Sequence, residues 1–460
     1  PRPSWHPFAF RRDRRPRTHI ARPQPSSPRP VPMAPSLRNR KPSKPETGSD
    51  TDAGDDALDE QYAPSVPSAA TQAHSKGEGK LQKVVKRLVF GTLLLLTLCV
   101  IVASGHLATL GLVQVIQLMM FRELVNVRYS ARKFADVPLF RTMQWGFFYT
   151  CMLYSYGNEV NTNASLYALL TASPVVASLL TYVEIVCMGL YSGLLVMTVL
   201  SLTKGYYKYQ MGQLAWTMAI CLITVGQVTC FMANIFNGLF WFLFPVALVI
   251  CNDSCAYFCG MAFGRKFTKR TFLALSPNKT WEGFVGGGVC TIIFAFFFPV
   301  ALVHMKFLIC PAEHMEHTIF GMDCKAPLVF TPAPYALPRP ISAVLGIGQL
   351  TLLPVQLHAL VLGLFASVVA PFGGFFASGI KRAYGLNDFA ALIPGHGGVF
   401  DRVDCQLIMG LAMHVYHRTF IGTGAISLAR VMTLAWQLST EEQLDMYNQL
   451  GASLKQHGHL

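Results

Sequence analysis

At 460 residues the chain is long enough for several soluble domains, yet 52% of it is hydrophobic and only 13% is charged. The charge is gathered at the N-terminus and in short loops, so long apolar runs are left between them, which excludes a soluble globular protein and marks a polytopic membrane protein. The net charge of +14 comes without the aromatic–basic interleaving of a nucleic-acid module, so no nucleic-acid partner is expected and the lysines and arginines beside apolar runs read as cytoplasmic loops near anionic headgroups.

Residues 1–80 carry arginine and proline as far as Pro45, then an acidic stretch from Glu46 to Glu60. Without apolar periodicity no core can form there, and a disordered tail is expected. An arginine-rich leader also fits a transit peptide, but a solvated cytosolic tail with blocks of opposite charge is the preferred reading.

The apolar run from Leu88 to Phe121 is too long for one crossing and is interrupted by Ser104-Gly105-His106, which predicts two spans joined by a tight turn. Further spans are expected over about 140–156, 175–202, 214–235, 239–261, 284–305, 357–377 and 405–421. The result is an all-α, polytopic helical bundle with about nine transmembrane helices. With a cytosolic N-terminus, the basic loops 122–139, 203–213, 262–283 and 378–404 all fall on the cytosolic side. The sequon Asn163-Ala164-Ser165 and the loop holding Cys310 and Cys324 fall opposite, while a sequon at Asn278 lands on the cytosolic side and should be silent. Three regions follow: a tail over 1–80, a membrane domain over 81–425, and an amphipathic C-terminal tail over 426–460.

The 12 cysteines form no disulfide framework, since most lie inside apolar runs as small core residues. Cys251, Cys255 and Cys259 recur every four residues on one helix face, which reads as helix packing because no further ligand lies nearby in sequence. Cys310 and Cys324 share one polar loop and can pair if that loop is lumenal.

Two polar constellations stand out in this apolar chain. The first runs through Asn252, Asp253 and Tyr257 at the end of one span to Lys279-Thr280-Trp281-Glu282-Gly283 before the next. Asp253 lies deep in an apolar run, where an unpaired carboxylate is costly, so it is either hydrogen-bonded to a neighbouring helix or functional, and a metal-facing role is preferred. The second runs from Ser378 to Asp404 and holds Lys381, Arg382, Asp388, His396, Asp401, Arg402 and Asp404 around the turn Pro394-Gly395-His396-Gly397-Gly398. Asp401 and Asp404 are three apart, which places both carboxylates on one helix face and suits a hard divalent cation. The basic residues and the glycine-rich turn suit phosphate oxygens.

Ser378-x-x-Lys381-Arg382, Asp388 and Pro394-Gly395-His396-Gly397-Gly398-x-x-Asp401-Arg402-x-Asp404 resemble the signature of the phosphatidate cytidylyltransferases, also called CDP-diacylglycerol synthases. The Asn252-Asp253-x-x-Ala256-Tyr257 and Ser276-Pro277-x-Lys279-Thr280-Trp281-Glu282-Gly283 blocks resemble the same family, eukaryotic members in particular, and the similarity spans about Leu88 to Ile421. Asn387 and Asn278 stand where the family usually has lysine. The resemblance implies transfer of CMP from CTP to phosphatidate, giving CDP-diacylglycerol and pyrophosphate, in the endoplasmic reticulum membrane with the site facing the cytosol. It leaves room for a homodimer and for membrane lipid as a partner.

The implied chemistry joins two polyanions, so Mg²⁺ or a similar divalent cation is expected as cofactor. Candidate metal ligands and catalytic carboxylates are Asp401, Asp404, Asp388 and Asp253, with Lys381, Arg382, Lys279 and Arg402 holding phosphates. Gly395, Gly397 and Gly398 are expected to offer amide donors, with Asn252 and Tyr257 also on the substrate side. His396 is either a general base or an orienting group on phosphate, and Ser378 either touches a metal or caps a helix. The rival readings are a CTP-dependent polyprenol kinase, an ion-coupled transporter and an inactive relative kept as a scaffold; the full signature argues against the first, and the absence of an internal inverted repeat against the second.

Overall fold

The structure is a computed structural model. It describes residues 80–456 except 129–138, 163–165, 168–169, 172, 269, 271, 274, 277–278, 313–323, 325, 337–347, 391, 393–396, 423–430, 433–434 and 437. The N-terminal tail, the sequon at 163–165, Asn278, Gly395 and His396 therefore lie outside the described residues.

The described residues are helical almost throughout. Helix α1 (Lys80–Ala103) and α2 (His106–Val127) are separated at Ser104-Gly105, where Gly105 takes a φ of 98° that favours glycine. The turn thus falls where the interrupted apolar run places it. After α3 (Phe140–Thr162) come α4 (Pro174–Thr181) and α5 (Val183–Leu200). Helix α6 (Tyr207–Cys221) passes through a π-helical turn, Leu222–Gly226, into α7 (Val228–Phe236). A π turn leaves main-chain carbonyls without their usual partner, and the buried Gln117 of α2 donates to the Thr224 carbonyl there at 3.1 Å. Gln117 also accepts from the Tyr156 hydroxyl at 2.8 Å, so this polar group inside an apolar bundle is satisfied.

Helices α8 (Phe240–Phe263) and α9 (Trp281–Val303) pack extensively against each other. A Cβ added at Gly283 would stand 2.8 Å from the Ala256 carbonyl oxygen, and one at Gly287 2.8 Å from the Ala256 Cβ. Small residues four apart let two membrane helices touch backbone to backbone, which is why this stretch is rich in glycine. The contact also answers the cysteine pattern: Cys290 of α9 interacts with Cys255 and Cys259 of α8, so a fourth thiol does join the stripe, from a neighbouring helix.

At the far end of α9, Cys310 and Cys324 are joined by a disulfide with Cα atoms 5.9 Å apart. Twenty-three residues at about 1.5 Å each make α9 roughly 35 Å long, so the disulfide and Lys279 flank opposite ends of one membrane-length helix. The segment that follows contains an antiparallel pair, β1 (Ala333–Ala336) and β2 (Gln349–Leu352), with Ala333 opposite Leu352. This short hairpin is a departure from the all-α expectation, in a stretch whose prolines hid it.

Helix α10 (Pro354–Val368) leads into α11 (Pro371–Ala383), and α12 (Phe400–Tyr416) packs against α11. The C-terminal α13 (Thr440–Gln456) starts with a reciprocal cap, Ser439 and Glu442 each bonding the other's main chain. Six helical stretches among the described residues are long and apolar enough to cross a membrane, which marks an integral membrane protein. That is fewer than the nine expected, because α12 is only 17 residues with three charges at its start, α1 counts only through Leu88–Ala103, and α3 ends in polar residues.

Candidate active site

The two constellations, remote in sequence, meet in space. Asp253 of α8 and Asp404 of α12 interact electrostatically with each other, and both interact with Lys279 and Arg402. Asp253 lies roughly 15 Å back from the end of α8 at about 1.5 Å per residue, yet it is exposed, as are Lys279 and Arg402, while Asp404 is half-buried. The four groups therefore line an open recess within the bundle. Two carboxylates side by side repel unless a cation lies between them or cationic side chains stand close, and here both conditions can be met.

Local packing explains how each arrives. Lys279 precedes α9, whose N-cap Thr280 accepts from the Gly283 amide at 3.2 Å. Its ammonium rests 4.6 Å from the ring centroid of Phe375 on α11. Asp404 sits in the first turns of α12 and takes the Cys405 amide at 2.7 Å. A Cβ at Gly374 would stand 3.4 Å from its Oδ2, so the glycines of α11 leave room for that carboxylate.

Asp401 is placed differently. Its Oδ1 pairs with the Lys381 ammonium at 2.8 Å, its Oδ2 accepts the amides of Phe389 and Gly398 at 3.0 Å each, and its side chain is 1% exposed. Both carboxylates face α11, as the three-residue spacing predicts, but Asp401 is already held by three donors and ties Phe389 and Gly398 to α11. The Gly398 amide is spent on Asp401, so in this arrangement it is not directed at a phosphate. Gly397, at φ 80°, is required here: a Cβ would lie 3.1 Å from Asp388 Oδ1 and 3.2 Å from Asp401 Oδ2. Asp388 itself is exposed beside that turn.

The other described candidates are held by local contacts. Ser378 donates to the Gly374 carbonyl at 2.8 Å, within its own helix. Arg382 donates to the Leu386 carbonyl at 3.0 Å. Asn252 accepts from Thr291 at 3.3 Å and so ties α8 to α9. Tyr257 is exposed against Phe258.

One further residue reads in the sequence only as part of the basic connection that begins at Arg122. Glu123, at the end of α2 and 7% exposed, accepts the Val399 amide at 2.8 Å and the Phe400 amide at 2.9 Å. It thereby caps the helix that bears Asp401, Arg402 and Asp404. A carboxylate at that end also complements the helix dipole.

Among the described residues no three His, Cys, Asp or Glu side chains converge as a complete metal cage. The Asp253–Asp404 pair nevertheless fits Mg²⁺, which takes one or two carboxylates and completes its shell with substrate phosphates and water.

The profile of the cytidylyltransferase family matches residues 85–420, which takes in every element of this recess. The chain belongs to that family. It is 41% identical to phosphatidate cytidylyltransferase 1 of Arabidopsis thaliana over 77% of its own length and 84% of the relative's. Against phosphatidate cytidylyltransferase 1 of Homo sapiens it is 38% identical, over 78% and 76% of the two chains. Against the phosphatidate cytidylyltransferase of Caenorhabditis elegans it is 37% identical, over 81% and 79%. A cytidylyltransferase needs neutralising groups around a nucleotide phosphate chain, and the recess supplies cations and carboxylates together.

Proposed function

We propose that the chain transfers CMP from CTP to phosphatidate, forming CDP-diacylglycerol and pyrophosphate. The meeting of Asp253, Lys279, Arg402 and Asp404 in one accessible recess carries this reading. A phosphate oxygen of phosphatidate attacks the α-phosphorus of CTP; that P–O bond forms as the α–β bridging bond breaks, and pyrophosphate departs with its electron pair. A phosphomonoester is largely ionised near neutral pH, so no side chain has to remove a proton first. Lys279 and Arg402 hold phosphate oxygens, Arg402 with a planar fork and Lys279 as a point charge. Asp253 and Asp404 hold a divalent cation, which supplies charge neutralisation and alignment of the two phosphates when bound. Asp401 and Lys381 keep the turn around Gly397 in place beside that recess.

The site faces the cytosol, in a bundle of about nine spans in the endoplasmic reticulum membrane. The disulfide at the opposite end of α9 supports that orientation, because disulfides persist on the oxidising side of a membrane. Incubating the purified protein with CTP labelled at the α-phosphorus and with phosphatidate tests the reaction. Label entering the lipid is the expected result; label reaching lipid only from γ-labelled CTP points to a kinase and rejects it.

A further inference from the structure

Helix α11 presents two different faces. Gly374, Ser378 and Lys381 recur at helical spacing toward α12, whereas Phe372, Phe376 and Gly379 recur on the other side. Phe372 and Phe376 are 50% and 59% exposed. Between them and the leucines Leu273 and Leu275 runs an apolar groove of about 380 Å³, within the roughly 300–1,000 Å³ of small-molecule sites. Phe375 belongs to both sides: it lines the groove, and its ring carries the Lys279 ammonium at 4.6 Å. Phe272 packs on the same ring, with centroids 5.5 Å apart, and so fixes the leucine segment opposite α11.

We propose that this groove is the binding site for one acyl chain of the lipid substrate. The proposal rests on the cytidylyl-transfer reading for the identity of the lipid. A phosphate-bearing lipid needs a cationic recess and an apolar channel that touch each other, and Phe375 is the wall they share. The headgroup reaches Lys279 and Arg402 while the chain lies along Phe372, Phe376 and Gly379 toward the bilayer.

Gly379 makes the test clean, because a Cβ there meets nothing within 4 Å. Gly379→Leu extends into the groove from a position where the added Cβ displaces no neighbour. With the full-length protein in detergent, it is expected to raise KM for dioleoyl phosphatidate about tenfold, the loss of one to two buried methylenes' worth of binding. KM for CTP and turnover of dihexanoyl phosphatidate should stay within about twofold. Phe376→Ala, which removes a wall instead of filling the space, should weaken the long-chain substrate in the same selective way. Phosphatidate with a diazirine in its acyl chain should label the 372–380 peptide, and excess phosphatidate but not phosphatidylcholine should compete. An unchanged KM for the long-chain lipid in both variants, labelling confined to other helices, or competition by phosphatidylcholine overturns the groove. If the unaltered protein converts neither lipid, the reaction assignment fails, and the labelling still decides the groove.

Discussion

Glu123 and Phe400 are 277 positions apart, yet the Glu123 carboxylate accepts the Phe400 amide hydrogen at 2.9 Å. Its other oxygen takes the neighbouring Val399 amide at 2.8 Å. A buried anion held by two amides at a helix start fixes both the position and the rotation of that helix, and α12 carries the charged residues of the recess.

Glu123→Gln replaces one acceptor oxygen with an NH₂ group that faces an amide donor. Leaving a buried donor unsatisfied costs about 1–3 kcal/mol. A matching loss of stability in detergent is expected on denaturant titration, together with lower turnover. Unchanged stability and turnover would remove Glu123 from this role.

Asp401 and Asp404 should separate by phenotype. Asp404→Asn is expected to leave the fold intact and to lower turnover by about 100-fold or more, as for the loss of a group acting on the reacting phosphates. Asp401→Asn strands the Lys381 ammonium, and breaking a buried pair costs about 3–5 kcal/mol, less here because Lys381 is 14% exposed. Its thermal midpoint should fall clearly below that of Asp404→Asn. Equal midpoints would contradict the division of labour.

The contrast between these two aspartates shows what the sequence holds. Their spacing puts them on one face, and both do face α11; spacing is silent on which one meets a lysine across the helix pair. The encounter of Asp253 with Asp404 was legible because two charged stretches in an apolar chain return to one side after an even number of crossings. Glu123 was not, since it ends an apolar run beside basic residues and its partners lie far along the chain, leaving no local pattern. Cys290 escaped for the same reason: contacts across helices have no period. The hairpin of β1 and β2 escaped because prolines mask a four-residue strand.

Gly287 tests the close contact of α8 with α9. Gly287→Val places branches where a Cβ already stands 2.8 Å from Ala256, and such overpacking costs about 1–3 kcal/mol or more. Lower yield of folded protein and a reduced thermal midpoint are expected, and a wild-type midpoint would argue for a looser helix pair.

The disulfide lies at the opposite end of α9 from Lys279, so stability and activity should part company there as well. Cys310→Ser with Cys324→Ser is expected to cost about 2–4 kcal/mol while kcat/KM for CTP stays within about twofold. A large kcat/KM loss at full stability would place that loop in the chemistry.

The most direct check of the recess is a double-mutant cycle on Asp253→Asn and Asp404→Asn, read as transfer of α-label from CTP to lipid. Acting as one unit, each single change should abolish nearly all incorporation and the double change should add little, since residues that work together are not additive. Near-normal incorporation by Asp253→Asn, or losses that simply multiply, would contradict a site assembled from the two stretches.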